Sequence, residues 1–135
     1  MKTAIHAVLI SSLACLSGCR AYVRARQVRT VATMQGIVRV IEETKIREPL
    51  TEANVRGAVN SVAAGRDAWG NEIAYAIRPS SAQSMSYVVV SPGSDGRLDF
   101  PTMDSYFTMG FADIRGKGRR DIVFRDGMAI TEAGK

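Results

Sequence analysis

The chemistry this chain can offer rests on aspartates. Asp95 and Asp99 lie four residues apart in the glycine-bearing run that begins at Ser91-Pro92-Gly93-Ser94, Asp104 follows, and Asp121 opens the next apolar run. Calcium needs six to eight oxygen ligands, usually carboxylates joined by backbone carbonyls of a folded loop. A turn of this kind after a strand can supply both. The spacing differs from the helix–loop–helix calcium pattern D-x-[DN]-x-[DN]-G. The same aspartates also read as solvent-facing turn residues, and residue type alone leaves both readings open. A third reading pairs Asp95 with Asp99 or Asp104 as general acid and base, as glycosidases do. It ranks last, because a polar turn lacks the apolar pocket that raises one carboxyl's pKa. The single histidine is His6, and the two cysteines are Cys15 and Cys19. Beyond residue 19 there is thus no imidazole or thiol for Ser-His-Asp or Cys-His catalysis, or for the usual zinc sites.

The elements that must position these aspartates lie in residues 66–96. Asp67-Ala68-Trp69-Gly70-Asn71 is a turn-like cluster holding the only tryptophan. An apolar run at 73–77 follows, with larger side chains on alternate positions. Arg78-Pro79 is expected to end that strand, and the serine-rich residues 80–86 to form a connector. A second run at 87–90, β-branched and short, fits a central strand. Trp69 is expected to wedge the first turn against a helix, with Gly70 and Asn71 tolerating the left-handed backbone of a tight turn.

Two turns in this order resemble the C-terminal domain of the type II secretion major pseudopilins (the G family). Those proteins carry D-P-W-G-N-P before a strand, S-x-G-x-D-G after the next strand, and a D-I pair further on. Here the counterparts are Asp67-Ala68-Trp69-Gly70-Asn71-Glu72, with both prolines replaced, then Ser91-Pro92-Gly93-Ser94-Asp95-Gly96, and Asp121-Ile122. The similarity covers roughly half of the chain. It implies a calcium site in this loop, with carboxylates from Asp95 and Asp99 and carbonyls from Ser91 and Ser94. Asp121 is a further candidate that could instead cap the turn. It also implies a non-catalytic role beside pseudopilins or other secretion-system proteins. The interval 97–120 is longer than the family's, and its aromatics, Tyr106, Phe107 and Phe111 with Met109, predict an ordered loop.

The start of the chain departs from that family. Lys2 is followed by a mostly apolar stretch, residues 5–16, of signal-peptide length and too short to span a bilayer. Leu16-Ser17-Gly18-Cys19 resembles the lipobox of bacterial lipoproteins, which implies cleavage before Cys19 and acylation there, palmitate included. The plainer alternative is an ordinary cleaved signal. Residues 1–18 are then a lipoprotein signal peptide and 19–135 a lipid-anchored domain facing the periplasm. Arg20, where inner-membrane retention uses aspartate, favours the outer membrane. True pseudopilins instead have a basic leader and an apolar helix, whereas here Arg20-Ala21-Tyr22-Val23-Arg24-Ala25-Arg26 follows.

The 135 residues make one domain with a modest core. Cleavage would remove Lys2 and no acidic residue, lowering the net charge from +5 to +4, and would leave no pair of cysteines for a disulfide. Val23, Val31, Met34, Ile37, Val38 and Ile41 recur at helical steps, so residues 21–45 predict an amphipathic helix. Arg20, Arg24, Arg26, Arg29 and Arg39 precede the first acidic residue, Glu42. They read as a solvated face or as attraction to anionic headgroups beside the anchor. Pro49 breaks the helix. Thr51 caps a second one, with Val55, Ala58, Val59 and Val62 buried and Gly65 as its stop. Residues 121–130 predict a hairpin on Asp126-Gly127, and the last five residues fray.

The expected fold is α+β, a long N-terminal helix packed on a small antiparallel sheet with a pilin-like head. The expected function is that of a lipid-anchored, pseudopilin-like envelope protein with a calcium-stabilised loop. The alternative class is a pilin-like DNA-binding lipoprotein, disfavoured because no stripe interleaving aromatic and basic residues is evident. No small-molecule substrate is indicated.

Overall fold

Thr30, Met34, Ile37, Val38 and Ile41 fall at steps of three and four, which places them on one face of a helix. In the computed structural model, which describes residues 2–81, 84–109 and 121–130, with side chains from residue 18 onward, that helix is α1, Lys2–Arg47. These five residues are buried. Val23, expected on the same stripe, is exposed, as are its neighbours Tyr22 and Val28. The body of the domain covers α1 only from about the Arg26 turn onward, so the apolar stripe is buried there alone.

Helix α2, Glu52–Ala63, begins where Thr51 accepts a hydrogen bond from the Asn54 N–H (3.2 Å) while Asn54 Oδ1 accepts from the Thr51 N–H (2.9 Å). That reciprocal box satisfies two otherwise orphaned donors. The left-handed stop starts one residue before Gly65, at Ala64 (φ +49°), and Gly65 continues it (φ +74°). Val55, Ala58 and Val59 are buried as the spacing predicts. Val62 is 40% exposed, yet it bears on α1: a Cβ on Gly36 would come within 3.1 Å of Val62 Cγ1. Gly36 thus lets the two helices close on each other.

Among the described residues, four antiparallel strands form one sheet in the order β1-β2-β3-β4. They are β1 (Ala74–Ser81), β2 (Ser84–Ser91), β3 (Ile122–Arg125) and β4 (Met128–Ala129). Ala74 pairs with Val90 and Ile77 with Tyr87; Ser91 pairs with Ile122. The sheet is covered on both faces. Tyr87, Val89, Ile122 and Phe124 pack with Met34, Ile37, Ile41 and Val55 of the two helices. Val88, Val90, Val123 and Ile130 pack with Tyr106, Phe107 and Met109 on the other side. Two-sided burial explains why residues 87–90 are apolar without alternation. The α+β architecture, a long N-terminal helix on a small antiparallel sheet, is the one the sequence predicts.

Two local expectations are corrected. Strand β1 does not stop at Arg78-Pro79 but runs on to Ser81, with Pro79 paired to Met85. β1 is an edge strand, where a missing N–H costs no ladder bond. The serines at 80–86 are accordingly not a connector, since Ser80, Ser81, Ser84 and Ser86 belong to the hairpin strands. The Asp126-Gly127 turn forms as predicted, with φ +48° and +85°. Asp126 also anchors β2, accepting from Ser86 Oγ (2.6 Å) and the Tyr87 N–H (2.9 Å). Residues 92–109 after β2 include a short helix α3, Ser105–Thr108. Arg125 holds its end by donating to the carbonyls of Phe107 (2.7 Å) and Met109 (3.0 Å). Phe111 and the last five residues lie outside the described residues.

Candidate cation site and the turns that position it

Asp67 is the hub of the first turn. It is buried, and its Oδ1 accepts from the N–H groups of Trp69 and Asn71, both at 2.9 Å. Its Oδ2 accepts from Ser91 Oγ (2.7 Å) and Asn71 Nδ2 (3.3 Å). An aspartate opening a turn commonly folds back onto the backbone in this way. Here the second oxygen also reaches across to the end of β2. Asn71 Nδ2 donates to Gly93 O (2.7 Å), and a Cβ on Gly96 (φ +70°) would lie 2.9 Å from Asn71 Oδ1. The two turns are therefore one hydrogen-bonded unit. Gly70 takes a left-handed backbone (φ +86°), whereas Asn71 does not and acts instead through its side chain.

The first turn is tied to α1 as well. Ala68 N–H donates to Thr30 Oγ1 (3.1 Å), and Arg26 Nη1 donates to Ala68 O (2.6 Å). Trp69 is half-buried against the core shared by α1, α2 and the sheet. It thus supports the turn from one side, while hydrogen bonds do the rest of the fastening.

Ser91 pairs with Ile122, so strand register brings Asp121 to the same end of the sheet as the second turn. Asp121 is only 4% exposed. Its Oδ2 accepts from the Asp99 N–H (2.8 Å) and from the Tyr106 hydroxyl. In return the Asp121 N–H donates to Asp99 Oδ2 (3.2 Å). Asp121 Oδ1 is buried and has no hydrogen-bond partner among the described residues. Burial pushes the Asp121 carboxyl up to about 6, and the charges of Asp99 and Asp95 add to the rise. The hydrogen bonds from Tyr106 and Asp99 pull the other way. The Tyr106 hydroxyl is raised, first by its own burial and then by its bond to Asp121.

Of the residues expected to hold calcium, Asp99 and Asp121 are brought together. Asp95 is exposed and its Oδ1 accepts from the Arg97 N–H (3.2 Å), though its charge is felt at Asp121. Ser94 is exposed, and Ser91 is fully buried with its hydroxyl on Asp67. Among the described residues no three histidine, cysteine, aspartate or glutamate side chains gather as a metal cluster. The donor set fits a hard cation only in part. One buried carboxylate oxygen lacks a partner beside a second carboxylate, so further oxygens must come from carbonyls or water. The site's best-placed member, Asp121, is the further candidate that could instead have capped the turn; strand pairing carries it to the second turn. Tyr106 gave no signal beyond its aromatic character.

Cys19 is exposed on α1. No helix is long and apolar enough to cross a membrane among the described residues. The chain matches no family model, no curated protein and no solved structure.

Proposed function

We propose that this chain is a non-catalytic, lipid-anchored protein of the bacterial envelope with a pseudopilin-like head, working beside a type II secretion or pilus-like machine. In this reading Cys19 carries the lipid, the domain faces the periplasm, and the outer membrane is its site. The loop end of the head holds calcium through Asp99 and Asp121, with Asp95 at the rim. The observation that carries the reading is the meeting of three motifs at one end of the sheet. Asp67 and Asn71 bind the second turn through Ser91 and Gly93, and the Ser91–Ile122 pairing brings in the aspartate of the D-I pair. The unpartnered Asp121 oxygen gives a cation something to do there: it would neutralise a buried carboxylate that already sits beside Asp99.

The anchor is tested by intact mass spectrometry and cell fractionation. The native protein is expected in the membrane fraction with an acylated Cys19 at its N-terminus, and Cys19→Ser in the soluble periplasmic fraction. An unmodified Cys19 in membrane-free protein would refute the anchor.

A further inference from the structure

A groove of ≈720 Å3 lies between α1, the C-terminal end of α2 and the Trp69 turn. Its lining includes the cations Arg26 and Arg29 of α1 and Arg66 after α2, together with Asn60, Ser61 and Trp69. Asp67 is the one acidic residue in the lining, and its carboxylate is already taken up by Ser91, Asn71 and the turn backbone. The two ion pairs among the described residues, Lys45–Glu42 and Arg56–Glu52, involve none of the three arginines. Three cations therefore face one concavity without an acidic ion-pair partner among the described residues.

Two of them are held in place. Arg26 donates to Ala68 O (2.6 Å) and lies over the Tyr22 ring at 4.6 Å. Arg66 donates to Gly70 O (2.8 Å). Each bond uses one of a guanidinium's five N–H donors, which leaves a fixed fork able to grip a carboxylate. Arg29 is exposed. At about 100° per residue, Arg26 and Arg29 sit about 60° apart on α1 and about 120–180° away from Arg20 and Arg24. The groove arginines thus occupy a different face from the pair nearest Cys19.

We infer that this groove binds an acidic peptide segment of a partner protein, its carboxylates on Arg26, Arg29 and Arg66 and an apolar residue against Trp69. Charge complementarity selects the occupant. The Asn60 amide suits a peptide backbone, the Ser61 hydroxyl, which donates to Ala58 O (3.1 Å), keeps an acceptor for a peptide N–H, and a tryptophan beside arginines is the composition of an interface hot spot. A flat headgroup layer would meet the Arg20–Arg24 face of the helix rather than this concavity.

Trp69 is the only tryptophan, so its emission reports on the groove. The probes are a glutamate-rich decapeptide carrying one phenylalanine and its lysine-for-glutamate counterpart, each added to the full chain in detergent, and phosphatidylglycerol vesicles, added after the detergent has been removed. The glutamate peptide is expected to shift the emission saturably, more weakly at high salt. Arg29→Glu is expected to weaken binding by roughly fivefold or more, the equivalent of one exposed ion pair. Arg20→Glu and the lysine peptide should leave binding and emission unchanged. Because Arg29 is exposed, the variant keeps its circular dichroism spectrum. No saturable response to the glutamate peptide overturns the proposal, as does equal binding by Arg29→Glu. A response to the vesicles alone would make the groove a headgroup site and likewise overturn it.

Discussion

Replacing Asp67 by alanine should destabilise the domain more than most single changes, because one carboxylate serves four donors. Ser91 is fully buried, so loss of its 2.7 Å acceptor leaves its O–H donor unpaired in the interior, at about 1–3 kcal/mol, although its oxygen still accepts from the Gly93 N–H. The Trp69 and Asn71 N–H groups, each 2.9 Å from Oδ1, belong to half-buried residues and can recover part of their bonding from water. The sum is about 3–5 kcal/mol, in the upper range for point mutants. With a urea m-value of about 2 kcal/mol/M, the unfolding midpoint should fall by about 2 M. Ser91→Ala supplies the control. Removing both partners leaves no orphaned hydroxyl, so the double mutant should be milder than the two single effects added, by about 1–2 kcal/mol. A loss below about 1 kcal/mol for Asp67→Ala, or strict additivity with Ser91→Ala, would refute the claim that the two turns are joined through this carboxylate.

Trp69→Ala should cost about 2–3 kcal/mol in urea unfolding, below the values for fully buried aromatics, because the ring is only half-buried. The Asp121 carboxyl, pushed up to about 6 from 3.8, binds its proton more readily in the folded state than in the unfolded one. In chelator, therefore, its contribution to stability should grow as pH falls from 7 toward 4 and be lost as pH rises through 6. The effect is at most about 3 kcal/mol, is read from melting curves, and should be absent in Asp121→Asn. Gly36→Ala should destabilise the α1–α2 contact, since the new Cβ meets Val62 Cγ1 at 3.1 Å; a melting temperature equal to or above the parent's would show that Val62 yields freely.

Periodicity made the helices legible, and the hairpin at Asp126-Gly127 followed from the two residues that suit a left-handed turn. Val23 continues the apolar period of α1 but lies beyond the body that would bury it. Pro79 reads as a strand end, and only its place on an edge strand allows β1 to run past it. At the site, the two turn motifs and Asp121-Ile122 were visible as separate strings. The carboxylate that joins the turns, Asp67, looked like an ordinary turn residue, because its second oxygen reaches a serine 24 positions away. Asp121 and Asp99 meet across 22 residues, a pairing set by strand register rather than by local spacing.

The loop's affinity for calcium tests the proposed function most directly. Melting curves of the full chain in calcium, in magnesium and in chelator, each repeated for Asp121→Asn, isolate the contribution of the unpartnered carboxylate. Calcium at a hundred times its dissociation constant is predicted to stabilise the native chain by about 2.7 kcal/mol. Magnesium should do less, because it demands tighter geometry and sheds water reluctantly, and Asp121→Asn should not respond to calcium. Superimposable curves for the native chain in calcium and in chelator would contradict the account.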